Sequence, residues 1–294
     1  MRIGVDLGGT GIQAGVVDSS GQIVARAAAV TRQGAAAVIA DIISICKELV
    51  AQVSAVEAIG IGCPGPVHPP SGTVVRMPNI EGFENIALAS IVSDELKLPV
   101  FISNDANSAA LAEHKFGAAR GSKNSVTITL GTGVGGGIII NDEVYAGTFF
   151  GAGELGHLII RMGGELCGCG QLGCLEAYAS ASSLIREASE IATADWGGIT
   201  AKTVFERADA GNEQAKKIVD DYFDNLCAGI ISIICILQPE VVVIGGGISK
   251  RGQPLLDEIK LRLSKTMPVN GLETKIVLAA LGTDAGIIGA ALVG

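Results

Sequence analysis

One histidine and three cysteines in this sequence have the residue types and spacing of a metal site. His157 is followed by Cys167, Cys169 and Cys174, within a stretch rich in glycine. One imidazole and three thiolates match the ligands of a closed, tetrahedral structural zinc site. A redox disulfide is the alternative, but it would leave the third cysteine and the histidine without a role. We therefore predict a structural Zn²⁺ ion held by these four residues.

Three glycine-rich turns follow predicted strands. Successive backbone N–H groups in such turns can approach an anion closely, because glycine has no side chain in the way. At the first turn, Asp6 could hold Mg²⁺ and Thr10 could bind phosphate, with an ordinary hairpin as the alternative. At the third, bare backbone could carry a flat adenine, although a left-handed turn before a helix fits nearly as well. The turns are Gly8-Gly9-Thr10, Gly131-Thr132-Gly133 and Gly245-Gly246-Gly247.

The second turn also contains G-x-G-x-x-G, the pattern of dinucleotide-binding proteins. That interpretation requires a helix after the glycines and an acid about 20 residues later. Here three isoleucines follow the glycines and continue as a strand (residues 138–140). We therefore reject a Rossmann site and favour a second phosphate-binding hairpin.

Asn104-Asp105 lies between a predicted strand and a predicted helix. Aspartate is a preferred N-cap residue, so Asp105 could simply cap the helix. It could also be a general base for a hydroxyl group, since a helix N-terminus keeps a carboxylate ionised. The local sequence leaves both interpretations open.

The elements that must position these residues alternate along the chain, and a strand–turn–strand unit opens each half. This pattern predicts a duplicated α/β fold with a cleft between two domains, 1–117 plus 285–294 and 118–284, with the boundary near residues 117–124. Strands are predicted at residues 2–7, 13–17, 22–30, 58–63, 100–103, 125–130, 136–140, 144–146, 241–244 and 275–279. Helices are predicted at residues 35–53, 86–96, 106–116, 182–192, 201–208, 213–237, 253–264 and 285–293.

Composition excludes several classes of protein. The 294 residues include 21 Lys and Arg against 30 Asp and Glu, a net charge of −9, which argues against nucleic acid or an anionic membrane as a partner. The 48% hydrophobic content excludes disorder. The longest uncharged run, 225–239, is shorter than the ~20 residues of a membrane span. Asp6 falls where a signal peptide would be apolar, so we expect a cytoplasmic protein.

The motifs together resemble those of the ROK family of bacterial sugar kinases and related repressors. The resemblance spans most of the chain, and its most specific parts are the Glu-x-Gly-His motif that ends at His157 and the cysteine motif that ends at Glu176. The matching segments are Asp6-Leu-Gly-Gly-Thr10, Pro64-Gly65-Pro66, Asn104-Asp105-Ala-Asn-Ser-Ala, Leu130-Gly-Thr-Gly-Val-Gly-Gly-Gly137, Glu154-Leu-Gly-His157 and Cys167-Gly-Cys-Gly-Gln-Leu-Gly-Cys-Leu-Glu176.

This resemblance implies the actin-like ATPase (ribonuclease H-like) fold and a role for each motif. Asp105 would be the catalytic base that deprotonates the 6-hydroxyl of a sugar. The first two glycine turns would face the phosphates of ATP, and the third would face its adenosine. His157 would bind zinc through one ring nitrogen and sugar through the other. The residues implied to bind the sugar are Gly65, Asn79, Asn104, Asp105, Glu154, His157 and Glu176.

The resemblance is greatest to glucokinase-like members, so the expected reaction is ATP-dependent phosphorylation of glucose, with Mg²⁺. Family members often carry a tryptophan in the loop after the Asn79 equivalent, where this chain offers Phe83. N-acetylmannosamine kinase, then fructokinase or allokinase, are therefore alternatives. A DNA-binding repressor is not expected, because five residues precede Asp6. A non-catalytic sugar sensor is a lesser alternative, because Asp105 is present. The family also implies a homodimer or homotetramer.

Overall fold

The computed structural model describes residues 1–77, 80–192, 196, 198–266 and 273–294, and the chain forms two compact units. The first unit comprises Met1–Lys123, Gly137–Gly153 and Ala280–Gly294. The second comprises Asn124–Gly136 and Glu154–Ala279. The first unit thus includes residues 137–153, which the sequence analysis assigned to the second domain. The predicted domain boundaries, 1–117 plus 285–294 and 118–284, remain a prediction.

Strands and helices alternate along most of the chain. The strands are β1 (Arg2–Leu7), β2 (Gly11–Val17), β3 (Ile23–Val30), β4 (Ala58–Cys63), β5 (Val67–His68), β6 (Thr73–Arg76), β7 (Glu84–Ile86), β8 (Val100–Asn104), β9 (Ser125–Leu130), β10 (Val134–Ile140), β11 (Glu143–Val144), β12 (Val241–Gly245) and β13 (Lys275–Leu278). The helices are α1 (Ala35–Gln52), α2 (Leu88–Leu96), α3 (Asp105–Lys115), α4 (Glu176–Ala179), α5 (Ala181–Ile191), α6 (Ala201–Asp209), α7 (Glu213–Leu237), α8 (Gln253–Thr266) and α9 (Ala285–Leu292).

The main sheet of the first unit has the strand order β3-β2-β1-β4-β8. β1, β2 and β3 form an antiparallel meander, whereas β1, β4 and β8 are parallel. In this register Asp6 pairs with Gly62, which in turn pairs with Ser103. The three parallel strands therefore end at one edge of the sheet, where ligands of open α/β sheets bind.

Helix α9 packs with its backbone almost directly on this sheet. Gly4 and Gly60 lie side by side on β1 and β4. A Cβ at Gly4 would come within 1.8 Å of the carbonyl oxygen of Ile287, and one at Gly60 within 1.7 Å of that of Ala290. Two bare strand positions thus allow the close approach of α9, and the predicted return of the C-terminal helix to the first half of the chain is confirmed.

On the other face, α1 presents the apolar residues that its helical spacing predicts. Val38, Ile42, Ile45 and Leu49 are all buried in the core of the first unit. Burial of each such side chain stabilises the fold by about 1.5–3 kcal/mol.

One predicted helix begins later than its pattern indicated. Residues 84–86 form β7, the last strand of a small antiparallel sheet of order β5-β6-β7, and α2 starts at Leu88. This sheet was not predicted, because its strands are two to four residues long and too short for a visible alternation.

The sheet of the second unit has the order β10-β9-β12-β13. β9, β12 and β13 are parallel, and Gly245 pairs with Thr129. The second and third glycine turns therefore follow neighbouring strand ends. β10 continues into the first unit, where it pairs with β11. Within the described ranges, no helix combines the length and the apolar character needed to cross a bilayer.

Candidate active site

The cap of helix α3 is Asn104 rather than Asp105. Oδ1 of Asn104 accepts hydrogen bonds from the backbone N–H groups of Ala106 and Asn107, at 2.9 and 3.2 Å. Nδ2 of the same side chain donates to the carbonyl oxygen of Gly65 at 3.2 Å. Asn104 thus ties the start of α3 to the turn that follows β4.

Asp105 is the first residue of α3, and its side chain is half-buried. Its Oδ1 accepts the N–H of Ala106 at 2.8 Å, which orients the carboxylate on the first turn of the helix. The partial positive charge of a helix N-terminus favours the ionised carboxylate. This position suits a group that accepts a proton from a ligand at the sheet edge.

The carboxylate of Asp6 lies against the first turn of α9. A Cβ at Gly286 would sit 2.3 Å from Oδ2 of Asp6, so a side chain there would displace this carboxylate. Burial raises the pKa of Asp6 above its ordinary value. The sequence analysis missed Gly286, although a glycine within a short apolar helix is the signal of such a close contact.

The first two glycine turns are closed by the same kind of hydrogen bond. The N–H of Gly8 donates to the carbonyl oxygen of Gly11 at 2.9 Å, and the N–H of Gly131 donates to that of Gly133 at 2.9 Å. In the first turn, Gly9 and Thr10 are exposed, and the carbonyl oxygen of Gly8 accepts the hydroxyl of Thr31 at 2.7 Å. In the second, Thr132 is exposed.

Glu176, at the start of α4, is held against the second turn. Its Oε2 accepts the N–H of Val134 at 2.8 Å, and a Cβ at Gly133 would come within 2.2 Å of that oxygen. Oε1 of Glu176 lies 3.6 Å from Sγ of Cys167. One carboxylate therefore connects the glycine turn to the cysteine loop.

A cavity of about 600 Å³ opens beside this turn, entirely within the second unit. Its volume is typical of small-molecule sites. The guanidinium of Arg251 lies 4.5 Å from the ring centroid of Phe205 and pairs with Asp209 at 2.7 Å. The cavity is lined by Gly131, Thr132, Ala181, Ala201, Lys202, Phe205, Glu206, Gly247, Ile248, Lys250 and Arg251.

Of the three glycines at the end of β12, Gly247 lines this cavity. Gly245 ends β12, and Gly246 has a φ of 83°. A Cβ at Gly246 would come within 2.5 Å of the backbone of Leu130, so Gly246 serves the packing of two strand ends. The sequence analysis singled out Gly131, Thr132 and Gly247 among the lining residues and missed those of α5, α6 and Arg251, which local patterns do not reveal.

The four predicted metal ligands come together. Their ligand atoms all lie within 4.8 Å of one another. Sγ of Cys169 lies 3.7 Å from Sγ of Cys174, and Sγ of Cys167 lies 3.7 Å from Nδ1 of His157. A tetrahedron with Zn–S bonds of about 2.3 Å has edges of about 3.8 Å, so these separations fit a zinc ion. Burial raises the pKa of the Cys174 thiol, and a bound cation would reverse that shift.

The other residues implied to bind sugar lie in different places. Glu154 is exposed and directly precedes the short 3₁₀ turn Leu155–His157 of the second unit. Gly65, Asn104 and Asp105 belong to the first unit. Asn79 lies outside the described residues.

Comparison with known proteins agrees with these features. The sequence model of the ROK family matches residues 2–293. A glucokinase of Halalkalibacterium halodurans is 39% identical, over 98% of this chain and 92% of its own length. A crystal structure of a ROK family glucokinase from Streptomyces griseus in complex with glucose and AMPPNP has a TM-score of 0.86 and 35% identity, covering 99% of this chain and 97% of that one.

A ROK hexokinase from Thermus thermophilus also has a TM-score of 0.86, with 34% identity and coverage of 99% of this chain and 96% of that one. These likenesses extend over nearly the whole length of each protein and confirm the predicted α/β, actin-like ATPase fold. The chain belongs to the ROK family.

Proposed function

We propose that the protein is an ATP-dependent glucokinase, which transfers the γ-phosphoryl group of ATP to the 6-hydroxyl of glucose. The glucokinase names of its full-length relatives support this proposal. The observation that carries it is the end of β8, where Asn104 caps α3 and Asp105 holds a carboxylate at the sheet edge.

Asp105 acts as the general base. Its carboxylate accepts the proton of the sugar hydroxyl as the oxygen attacks phosphorus, and the N-terminus of α3 stabilises the anion until that moment. Help of this kind is worth roughly 10²–10⁴-fold in rate. Asn104, bonded to Gly65, fixes the turn on which the sugar rests. Glu154, His157 and Glu176 supply further sugar contacts from the second unit.

The cavity of the second unit binds the nucleotide. Gly131 and Thr132 at its edge offer backbone N–H groups to phosphate, and Phe205 and Gly247 border the adenosine. On the first unit, the first glycine turn, residues 8–10, also faces the phosphates. Asp6 has the carboxylate oxygens that Mg²⁺ prefers. When bound, Mg²⁺ neutralises the charge that develops on the transferred group.

A panel of sugars tests the proposal. ADP release is measured with glucose, mannose, fructose, allose, N-acetylglucosamine and N-acetylmannosamine, and we expect the highest kcat/KM for glucose. A higher kcat/KM for N-acetylmannosamine, fructose or allose would assign the protein to that alternative activity. If no sugar in the panel increases the rate of ADP release, the non-catalytic sugar sensor is favoured.

We also propose that His157, Cys167, Cys169 and Cys174 hold a structural Zn²⁺ ion. The 3.7 Å separations support this, and the ion would fix the loop that carries Glu176. Protein purified without added zinc should contain about one zinc ion per chain. Cys174→Ser should lose most of the zinc, whereas Cys235→Ser, which changes an exposed cysteine outside the cluster, should keep it. Folded, active wild type with under a tenth of an ion per chain would contradict the proposal.

The subunit number and location follow the family resemblance. We propose that the protein forms a homodimer or homotetramer and acts in the cytoplasm. Its proposed substrates are small sugars. Light scattering on the purified protein measures the subunit number directly, and a monomer at micromolar concentration would contradict this part of the proposal.

A further inference from the structure

The chain passes between the two units four times, at residues 123/124, 136/137, 153/154 and 279/280. Through the segments next to these crossings, a ligand bound to one unit can change the conformation of the other. Several of these segments are attached to helix α3 on the first unit's side, and α3 is the helix that carries Asp105.

Glu113, in the last turn of α3, is the principal attachment. Its side chain is buried, with the residue 1% exposed. Oε1 accepts the N–H of Leu281 at 2.8 Å, and Oε2 accepts the N–H groups of Ala280 at 3.1 Å and Ala118 at 2.8 Å. Ala280 is the first residue after the last crossing, and Ala118 precedes the first crossing by a few residues. One carboxylate thus holds the segments at two crossings.

His114, the next residue of the helix, is connected through Asp142 to a segment at the first crossing. Nε2 of His114 lies 3.1 Å from Oδ1 of Asp142. The N–H of Asp142 donates to the carbonyl oxygen of Lys123 at 2.9 Å, and Lys123 is the last residue before the first crossing. Two consecutive residues of α3 therefore attach to chain segments at the crossings.

A third crossing is packed against the same helix. Gly137 is the first residue of the first unit after the second crossing. A Cβ there would come within 2.4 Å of the Cβ of Ala110 and 2.8 Å of the carbonyl oxygen of Ala106. The strand thus touches the backbone of α3, and only glycine permits this.

Helix α3 therefore begins with Asp105 and carries Glu113 and His114 in its last turn, about 12–14 Å away along the helix axis. A helix of this length moves as a rigid body. A displacement of the crossings must therefore move the sugar-binding end, and the reverse also holds.

We propose that Glu113 is a positioning residue that couples sugar binding in the first unit to nucleotide binding in the second. This inference rests on the proposed function. Glu113 contacts neither ligand in this proposal, and it acts through the segments it holds. Without it, sugar and nucleotide each still bind, but binding of one no longer strengthens binding of the other.

Calorimetry measures this coupling directly. The Kd of AMPPNP is determined with and without saturating glucose for the wild type, Glu113→Gln and Val38→Ala. Val38 is buried in the core of the first unit, so Val38→Ala lowers stability there without touching a crossing. Coupling between sites is typically 5–150-fold. We expect glucose to lower the wild-type Kd of AMPPNP about tenfold.

In Glu113→Gln this factor should fall below about twofold, while the Kd of AMPPNP alone stays within about twofold of wild type. The reason is that the nucleotide cavity lies entirely in the second unit. Glucose KM should rise and kcat should fall together, as is usual for residues that control closure. Val38→Ala should keep the tenfold factor. Glu113→Asp, which keeps the carboxylate on a shorter side chain, should show an intermediate factor.

Equal coupling in wild type and Glu113→Gln would overturn the inference, as would an equal loss in Val38→Ala. A wild type that binds both ligands without coupling would also overturn it. If Glu113→Gln fails to fold, Glu113→Asp decides, and full coupling there overturns the inference. A wild type that binds neither glucose nor AMPPNP would instead contradict the proposed function.

Discussion

Two glycine turns, at residues 8–11 and 131–133, share a backbone plan and differ in what surrounds them. Each follows a strand and is closed by an N–H to carbonyl hydrogen bond of 2.9 Å. Near the first lies a half-buried acid, Asp6, which packs against Gly286 of α9. The second borders a cavity and receives its acid, Glu176, from the distant helix α4. Both turns thus supply backbone donors, and the acid beside each one determines what else that turn can do.

Among changes at the two turns, the largest effect is expected at the acid beside the first turn. Gly286→Ala places a methyl group 2.3 Å from Oδ2 of Asp6, and the flexible carboxylate must move. We expect kcat to fall about 10²-fold, since a displacement of about 1 Å in a catalytic site has this cost. The Kd of glucose should stay near the wild-type value. Steady-state kinetics and glucose titration check both.

Two controls show whether the effect passes through Asp6. Gly198→Ala adds a methyl group in open space and should leave kcat unchanged. In an Asp6→Asn background, Gly286→Ala should have little further effect, because residues in contact are not additive. Full additivity of the two substitutions would refute the link between Gly286 and Asp6.

A smaller effect is expected at the second turn. Gly133→Ala brings a Cβ within 2.2 Å of Oε2 of Glu176 and breaks its bond to the N–H of Val134. The displaced carboxylate would then lose its proposed hydrogen bond to the sugar. The loss of one such bond corresponds to roughly a tenfold rise in glucose KM. Zinc content should not change. Gly168→Ala, in open space within the cysteine loop, is the matched control. An unchanged KM in Gly133→Ala would remove Glu176 from the sugar site.

The smallest effect concerns stability and pH. Burial raises the pKa of Asp6 in the folded protein above its ordinary value of 3.8. Between these two pKa values the folded protein binds more protons than the unfolded chain, so its stability falls as pH rises through that window. Asp6→Asn removes this pH-dependent loss of stability, because asparagine does not ionise. In EDTA, the variant should have a slightly higher Tm than wild type at neutral pH, and the difference should vanish below pH 3.8. A difference that persists in acid would contradict this account.

The same comparison shows what a single sequence can reveal. Both turns were predictable, because glycines after an apolar strand are a local signal. Their partners were not: Gly286 is 280 residues from Asp6, and Phe205 and Arg251 reach the cavity from a helix and a loop placed by tertiary packing. The sequence could not decide which residue caps α3, for another reason. Asn and Asp are almost equally good caps, so adjacent residues of these types do not reveal where the helix begins.

The cluster of His157, Cys167, Cys169 and Cys174 was predictable because these residues are close in sequence and are of types that bind metal. The small sheet of β5, β6 and β7 was not, since such short strands are formed by pairing rather than by their own propensity. Local chemistry was therefore the better guide to the candidate site, and long-range packing decided the remainder.

In the proposed reaction, the first unit supplies the base and the second supplies the nucleotide cavity. The most direct test is the kcat of Asp105→Asn, measured together with its Kd for glucose. Asparagine keeps the size of the side chain and an oxygen for the N–H of Ala106. The account predicts that kcat falls about 10²–10⁴-fold while the Kd of glucose changes little. A variant that retains more than a tenth of the wild-type kcat would contradict it.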